Sequence, residues 1–435
     1  MRQRASIAVI RVGMTGDRGS DAMKPLIFPI LADLTPPDFT VAFYDDRVED
    51  LPESIDADII ALSVETFAAR RAYALAKQYK SDGNVIIMGG YHPTALPEEC
   101  LAHCDAALVG DAEDTFPAFL KDYQNGTLQR KYISRGMSCL SRVRLNHPCF
   151  DGKRYAPVGV AQFSRGCKFA CDFCSIKTMY SGKVRQKHTA DIVSEMREAK
   201  EKLFFLLDDN IFLDENSALE LFEALRPLKK KWVCQISMDV TQNSRLLRAM
   251  RKSGCVMVIM GFESLSAENL RAMNKTANLQ IDYDSAVRNL SRHGLLVYAT
   301  FVLGYDGDGP DAPRSMLRFA NKHSFAIANF NPLIPMPETP LYKRLEREGR
   351  LLWPAWWAQD GYRYGDTVFT PRGMTPDQLR DGCRDARYSF YSLRGIWGRL
   401  LRNPLHWRPD RALVFLAANY VSRAEIRRKQ GAELG

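Results

Sequence analysis

Three cysteines, Cys167, Cys171 and Cys174, lie within eight residues of one another in a C-x3-C-x2-C spacing. They follow a predicted strand directly, and a loop at the end of a strand can turn three thiolates towards one point. A [4Fe–4S] cubane usually takes four protein ligands, so a set of three leaves one iron open. An open iron can bind a substrate or cofactor directly. We therefore predict a [4Fe–4S] cluster held by these three cysteines.

A structural zinc site and three unrelated thiols are the alternatives. Structural zinc takes four ligands, often as paired C-x2-C halves, and no second pair follows here. His188 could supply a fourth ligand, although it lies far along the chain from Cys174. Ten cysteines in 435 residues are too few for a disulfide scaffold. We expect the remaining seven to be dispensable for the cluster, namely Cys100, Cys104, Cys139, Cys149, Cys234, Cys255 and Cys383.

Two series of alternating strands and helices must position this loop. The first, up to about residue 125, contains five short buried strands, which are SIAVIRV, TVAFYDD, DIIALSV, NVIIMGG and AALVG. Strands that alternate with helices indicate parallel pairing and a doubly wound sheet. In such sheets ligands bind beyond the carboxyl ends of the strands, here the loops at residues 13–24, 63–66 and 89–92.

The second series has six strand–helix repeats, which predict a complete or partial parallel barrel with its chemistry at the carboxyl ends of the strands. The fold class is therefore α/β, a doubly wound domain followed by a barrel and a C-terminal helical segment, in which Thr375 and Pro376 open a helix. The expected domain bounds are 1–130 for the doubly wound domain, 131–154 for a linker, 155–350 for the barrel and 351–435 for the helical segment.

Composition and charge restrict the function classes. The chain is 46% apolar and 26% charged, as in an ordinary globular protein, and no apolar run is long enough to cross a bilayer. The apolar run near the N-terminus is short and is interrupted by Arg11, so a strand is expected there rather than a signal peptide, and a cytoplasmic location follows. Much of the net charge of +9 lies near the C-terminus, which is typical of a solvated basic helical face.

The cysteine loop resembles that of the radical S-adenosylmethionine (SAM) superfamily, with Phe173 in the aromatic position before the last cysteine. The resemblance implies that SAM chelates the open iron through its amino and carboxylate groups. One electron from the reduced cluster then cleaves a carbon–sulfur bond, usually giving a 5′-deoxyadenosyl radical. The same resemblance implies a reducing partner such as flavodoxin or ferredoxin, which supplies this electron.

Further positions match the family's SAM-binding elements. Asp208 or Asp209 would accept hydrogen bonds from the SAM ammonium, or else cap the next helix. Ser237, predicted on one strand face with Gln235 and Asp239, would face the ribose. The resemblance also implies that Glu263 binds SAM or braces the barrel, and that the backbone at Gly304 approaches the adenine.

The N-terminal region resembles the cobalamin-binding domain that precedes the barrel in one class of this family. Residues 89–94 match its Gly-Gly-x-His-x-Thr element and residues 110–113 its Gly-Glu/Asp-x-Glu element. The cobalt-ligating Asp-x-His-x-x-Gly motif is absent, because residues 44–50 contain neither histidine nor glycine. His92 is either a surrogate ligand or a structural residue. The class implies cobalamin as a third cofactor.

These features predict reductive cleavage of SAM and cobalamin-dependent methylation of a small-molecule or lipid-like substrate. Without cobalamin, the alternatives are radical cyclisation, oxidation or carbon–carbon bond formation, including aminocarboxypropyl transfer. The aromatic and arginine-rich residues 388–407 would suit peripheral membrane contact and a lipid or tetrapyrrole substrate, or else cover the barrel. RNA modification is disfavoured because no RNA-binding module signature is present. A non-enzymatic redox sensor is the remaining alternative.

Overall fold

The computed structural model describes residues 4–14, 21–136, 140, 142–180, 182–212 and 214–428. Cys139, residues 15–20 of the first predicted loop and residues 429–435 lie outside the described residues. Two separate parallel sheets organise the chain, one in each of the two series predicted from the sequence.

The N-terminal domain is a six-stranded parallel sheet in the order β2-β1-β3-β4-β5-β6. Its strands are β1 (Ala5–Arg11), β2 (Phe39–Asp45), β3 (Ile59–Ser63), β4 (Val85–Gly89), β5 (Ala106–Val109) and β6 (Lys131–Ile133). The first five match the predicted strands. Strand β6 pairs with β5 inside the segment expected to be linker, so the sheet extends past the predicted boundary at residue 130.

Helices cover both faces of this sheet, which explains why its strands are apolar at successive positions. Ile7 and Val9 of β1 belong to the core on one face, and Ala8 and Ile10 belong to the core on the other. The helices of this domain are α1 (Ile27–Leu34), α2 (Ala69–Tyr79), α3 (Tyr91–Ala95), α4 (Pro97–Cys100) and α5 (Ala112–Asn125).

The second domain is built on an open sheet of six parallel strands in the order β14-β13-β12-β11-β10-β7. Strands β8 and β9 form a separate antiparallel pair beside it. The strands are β7 (Gly159–Ala161), β8 (Ser164–Arg165), β9 (Arg185–Gln186), β10 (Leu203–Leu206), β11 (Lys231–Ile236), β12 (Cys255–Glu263), β13 (Leu296–Leu303) and β14 (Ile327–Pro332). The predicted barrel is therefore present in its partial form.

Nine helices accompany this sheet in the described part of residues 175–347. They are α6 (Ser175–Tyr180), α7 (Thr189–Glu198), α8 (Glu215–Leu225), α9 (Ser244–Ser253), α10 (Ala267–Ala272), α11 (Thr276–Leu279), α12 (Tyr283–Arg292), α13 (Ala312–Lys322) and α14 (Pro340–Arg347). Helix α6 begins directly after the last cysteine of the loop, so its packing fixes where that loop ends.

The C-terminal segment is helical, as predicted, and packs on the edge of the open sheet. It contains α15 (Pro376–Phe390), α16 (Leu393–Arg402) and α17 (Pro409–Arg428). Helix α15 begins at the predicted residue, because the Thr375 side chain accepts a hydrogen bond from the Gln378 backbone N–H in a capping box. This helix packs against β14 and α13. Among the described helices, none is both long and apolar enough to cross a membrane.

Candidate functional site

The cysteine loop begins at Gly166, which has a left-handed backbone with a φ of 96°. A Cβ atom at this position would lie 2.1 Å from the carbonyl oxygen of Lys183, so only glycine fits. The Gly166 N–H donates a hydrogen bond of 2.8 Å to the Asp209 carboxylate. The start of the loop is therefore tied to the carboxyl end of β10.

The middle of the loop is held by segments that follow three other strands. The Asp172 N–H donates to the Met273 carbonyl at 3.1 Å, and the Leu341 N–H donates to the Asp172 carbonyl at 3.0 Å. The Tyr305 hydroxyl donates to the Asp172 carboxylate. Since these residues follow β12, β13 and β14, the second domain itself determines the path of the loop.

The three thiols differ in burial but influence one another. Cys171 is buried, and Cys167 and Cys174 are half-buried. Burial raises the pKa of the Cys174 thiol to about 12, and the two other cysteines add to this shift. Burial likewise raises the pKa of Cys171, while the ammonium group of Lys275 opposes the rise. The thiols therefore act on one another, and Lys275 supplies a nearby cation, which fits an anionic cluster.

The described residues contain no group of three His, Cys, Asp or Glu side chains arranged around a single metal ion. In a cubane each cysteine ligates a different iron, so its ligands are spread over the cluster and do not converge on one atom. The arrangement of the loop is therefore compatible with a cluster.

A buried ion pair closes the pocket on the side of β12. Glu263, the last residue of β12, has a φ of 60° and lies 2.7 Å from the Nζ atom of Lys275. A Cβ atom at Gly261 would lie 2.0 Å from the Glu263 carboxylate, so the ion pair in this position uses the space that the glycine leaves open. Although burial opposes it, Glu263 raises the pKa of Lys275, and Cys171 and Cys174 contribute to the rise. Sequence reasoning missed Lys275, because no local pattern shows that the chain after β12 brings this lysine back to Glu263 and the cysteines.

The predicted residues Asp208 and Asp209 both brace the cysteine loop. Asp208 is buried and accepts hydrogen bonds from the Ser164 hydroxyl at 2.6 Å and the Phe163 N–H at 3.3 Å, and also from the Ser164 N–H. Burial raises the pKa of Asp208 to about 6, although these hydrogen bonds oppose the rise. Asp209 holds Gly166, as described above.

The alternative prediction, that these two acids cap the next helix, is wrong. The N-cap of α8 is Asp214, whose side chain accepts a hydrogen bond of 2.9 Å from the Ser217 N–H.

Polar residues at the carboxyl ends of β10 and β11 form a chain of contacts towards the loop. Asn210 donates a hydrogen bond of 3.2 Å to the Ser237 hydroxyl, and Gln235 donates one of 2.9 Å to the Asp209 carbonyl. The predicted strand stops at Ile236, so Asp239 belongs to a 3-10 helix (Met238–Gln242) and not to the same strand face. Asp239 nevertheless reaches the cysteine loop through an ion pair with Lys168.

Gly304 has a packing reason of its own to be glycine. Its φ is 102°, and a Cβ atom would lie 2.4 Å from a methyl group of Leu379 in α15. Its N–H donates to the Asp308 carboxylate at 2.9 Å. The adenine contact expected at Gly304 stays a prediction. Phe173 is half-buried and packs against the core of the second domain, next to the cysteines on either side of it.

A cavity of about 420 Å³ lies between the two domains. On one side are the carboxyl ends of β3, β4 and β5, where ligands bind in doubly wound sheets. On the other side is α6, which begins directly after Cys174. The residues that line the cavity from these elements include Ser63, Gly89, Gly90, Gly110, Ser175, Ile176, Met179 and Tyr180. A ligand in this cavity would therefore be a neighbour of the cysteine loop.

Ion pairs across the domain boundary border this cavity. The Arg165 guanidinium lies 3.1 Å from the Asp111 carboxylate and 2.9 Å from the Glu113 carboxylate. Arg185 of β9 lies 2.6 Å from Asp111. Asp111 and Glu113 are the acids of the predicted Gly-Glu/Asp-x-Glu element, so this element joins the first domain to the residues that flank the cysteine loop.

The contacts of His92 favour the structural alternative over a cobalt ligand. It is fully buried, its Nε2 atom lies 2.7 Å from the Tyr73 hydroxyl, and its ring meets Trp357 edge-on. In the segment without the histidine motif, Asp45 pairs with Arg47, and Asp46 with an arginine of α2. No histidine of the described residues lines the cavity. A cobalamin bound against this cavity would therefore have no histidine ligand from the described lining.

Comparison with known protein families divides the chain in the same way as the structure. Residues 161–320 match the radical SAM superfamily, residues 30–120 match the B12 binding domain, and residues 339–427 match DUF4070, a domain of unknown function. The chain contains a radical SAM domain and a B12 binding domain. The radical SAM domain implies a [4Fe–4S] cluster and SAM, and the B12 binding domain implies cobalamin.

This radical SAM protein is similar to curated enzymes over most of its length. It is 27% identical to the bacteriochlorophyllide d C-12(1)-methyltransferase of Chlorobaculum tepidum over 91% of this chain and 89% of that enzyme. It is 24% identical to the hopanoid C-2 methylase of Rhodopseudomonas palustris over 76% of this chain and 66% of that enzyme. Among solved structures, it shares its fold with the cobalamin-dependent SAM radical enzyme OxsB, at a TM-score of 0.62 and 13% identity over 97% of this chain and 71% of that one.

Proposed function

We propose that this radical SAM protein is a cobalamin-dependent methylase that acts on a small-molecule substrate. The observation that carries the proposal is the cavity between the B12 binding domain and α6, which adjoins the cysteine loop. A methyl carrier held there would be next to the site of SAM cleavage. Methyltransferases among the relatives support the same reaction type.

In this proposal Cys167, Cys171 and Cys174 hold the cluster. When bound, the cluster supplies the electron that cleaves SAM, and cobalamin supplies the methyl carrier. The residues of the chain orient these groups and exclude water. Three of them lie at the carboxyl ends of barrel strands where SAM would bind, namely Ser237, Glu263 and Gly304, and Phe173 lies within the cysteine loop.

The two acids after β10 have different parts in this proposal. Asp209 accepts one hydrogen bond from the loop and is only half-buried, so its carboxylate can also accept hydrogen bonds from the SAM ammonium. Asp208 is a positioning residue, because its carboxylate already accepts bonds from Ser164 and Phe163.

The relatives are named for tetrapyrrole and hopanoid substrates, and we propose a substrate of similar, largely apolar and polycyclic character. The strands offer a suitable surface above the loop. Gln235 is exposed, and Tyr298, Thr300 and Val302 of β13 are half-exposed in spite of lying in the middle of the sheet. These side chains share the face on which a substrate would rest.

We also propose peripheral contact with an anionic membrane surface through the C-terminal helices. Large apolar side chains are exposed there, namely Leu393, Trp397, Leu401, Trp407, Leu413 and Tyr420. Exposed arginines lie between them, at positions 394, 402 and 408. Aromatic and basic residues together on one helical surface favour the headgroup region of a bilayer.

Sedimentation with vesicles tests this contact. The protein should bind vesicles that contain anionic lipid, and a variant with both Trp397→Ser and Trp407→Ser should bind much less. Leu352→Ser, which changes an exposed apolar residue elsewhere, should bind as the unaltered protein does.

A one-electron carrier such as flavodoxin or ferredoxin is the proposed reductant, and the cytoplasmic location stays a prediction.

The main proposal is tested by anaerobic purification and cluster reconstitution, followed by optical spectra with and without hydroxocobalamin. We expect an iron–sulfur band, stoichiometric retention of cobalamin and cleavage of added SAM on reduction. An iron–sulfur band without retained cobalamin would contradict the methylase but not the radical SAM chemistry. Absence of the band would contradict the cluster itself.

A further inference from the structure

A second cavity, of about 570 Å³, lies between α15 and the loop of residues 361–366. Its lining is unusually basic and contains Arg363, Arg380, Arg384 and Arg387, together with Tyr364 and Tyr388. Asp366 is the only acidic residue in the described lining. The cavity therefore offers several guanidinium groups and few carboxylates to a ligand.

The arginines of this cavity are not equivalent. Arg380 lies 2.7 Å from Asp377 and Arg384 lies 3.2 Å from Asp381, so both are paired within α15 and partly exposed. Arg387 is only 1% exposed, and no carboxylate of the described residues forms an ion pair with it. A buried cation without a counter-ion is costly, which suggests that Arg387 awaits an anionic partner.

The hydrogen bonds of Arg387 point to the same conclusion. Its guanidinium makes one long contact of 3.5 Å to the Asn331 side chain. Its Nε atom is buried and has no hydrogen-bond partner among the described residues. A planar guanidinium can donate two parallel bonds to one carboxylate or phosphate, and these donors are available for such a pair.

Two other buried arginines in this domain, Arg399 and Arg411, donate closer hydrogen bonds than Arg387 does. Arg399 donates to the Phe390 carbonyl and to the Asn419 side chain and lies over the Phe390 ring, and Arg411 donates to the Gly294 carbonyl at 3.0 Å. Neither of them lines the cavity. Arg399 also lacks a carboxylate partner and has an unpartnered Nε atom, but these closer contacts hold its guanidinium, and of the three arginines Arg387 is the one that lines the cavity.

The cavity adjoins the reaction face of the open sheet. Asn331, the contact of Arg387, lies near the carboxyl end of β14, the edge strand. It is in register with Val302 of β13, so both side chains lie on the face proposed above for the substrate. An anion bound at Arg387 would leave the rest of its molecule free to extend over the carboxyl ends of the strands.

We propose that this cavity binds an anionic oxygen group, a carboxylate or phosphate, of the molecule that is methylated. That the bound molecule is the methyl acceptor rests on the proposed function. That the cavity binds an anion does not. The substrate class is then an apolar molecule with an acidic substituent. Arg387 forms the bidentate contact, and Arg380 and Arg384 contribute positive potential at the mouth of the cavity.

The test uses the reconstituted full chain and measures the shift of its thermal midpoint with added succinate or inorganic phosphate at constant ionic strength. The unaltered protein should be stabilised by at least one of the two, and the stronger ligand distinguishes carboxylate from phosphate. Arg387→Gln should weaken the binding at least tenfold. Arg248→Gln, which removes an exposed arginine of α9, should bind as the unaltered protein does.

Two further readouts separate this role from a structural one. Without ligand, Arg387→Gln should be at least as stable as the unaltered protein, because it removes an unpaired buried charge. If that variant fails to fold, the proposal is wrong about Arg387, and Arg387→Lys still tests the cavity, since a lysine keeps the charge but loses the bidentate contact.

The proposal is overturned if neither anion stabilises the unaltered protein, or if Arg387→Gln and Arg248→Gln respond alike. SAM cleavage is measured in parallel. Loss of cleavage in the unaltered protein with anion binding intact would contradict the proposed function alone.

Discussion

Arg165, the residue before the cysteine loop, is ion-paired at 3.1 Å with Asp111, the residue before the first helical residue of α5. The pair crosses the boundary between the B12 binding domain and the radical SAM domain. Although burial opposes it, Glu113 and Asp111 raise the pKa of Arg165. One buried charge cluster therefore ties the border of the cavity between the domains to the start of the cysteine loop.

Replacing Arg165 tests this coupling. Arg165→Met leaves Glu113 without its partner and Asp111 with Arg185 alone, and breaking a buried pair typically costs about 3–5 kcal/mol. We expect a lower thermal midpoint and at least tenfold weaker cobalamin binding, measured by equilibrium titration. Arg142→Gln breaks an exposed pair with Glu198 and should change the midpoint little. Equal effects of the two substitutions would contradict a role for the boundary pair.

The cysteine assignment predicts a sharp division among the thiols. Cys167→Ala, Cys171→Ala and Cys174→Ala should each give a folded protein that has lost the cluster and does not cleave SAM. Cys104→Ala, which changes a half-buried thiol of the first domain, should keep both. Iron analysis and chromatography of the SAM cleavage products are the measurements. Iron loss in the Cys104 variant would refute the assignment.

Lys275 should influence the cluster electrostatically. Its ammonium group acts on Cys171 and Cys174, and a nearby cation favours the more negative, reduced state of a cluster. Lys275→Met should therefore make the reduction potential more negative and slow SAM cleavage at least tenfold. Lys252→Met, an exposed lysine at the end of α9, is the control. An unchanged potential in both variants would leave Lys275 with a packing role only.

Asp208 should make the stability depend on pH in a defined direction. Its pKa rises from 3.8 to about 6 on folding, because burial disfavours the carboxylate. A raised pKa in the folded state means that the contribution of Asp208 to stability is complete below pH 4 and is lost as the pH rises through 6.

Asp208→Asn should abolish this change, so the variant gains stability relative to the unaltered protein between pH 4 and pH 7. Thermal midpoints across that range are the measurement. Asp282→Asn, at the exposed N-cap of α12, is the control for the loss of a carboxylate. A constant difference between the Asp208 variant and the unaltered protein at all pH values would show that Asp208 is already ionised in the fold.

The elements with strong local patterns were predicted correctly. The first five strands of the first sheet and the partial barrel follow from strand and helix periodicity, and Thr375 predicts the start of α15. Strand β6 was missed because three residues at a sheet edge carry almost no pattern. Asp239 was placed on the wrong element because the chain turns into a 3-10 helix after Ile236, which spacing alone does not reveal.

The sequence by itself determined the chemistry of the loop and the order of the domains. The spacing of Cys167, Cys171 and Cys174 is local, and a few adjacent residues are enough to encode it. Only the tertiary structure decided which residues meet this loop. Lys275, Asp111 and Arg387 each act through a partner far away in the chain, and such pairs depend on how strands and helices pack. Local sequence specifies the ligands, whereas long-range packing specifies their surroundings.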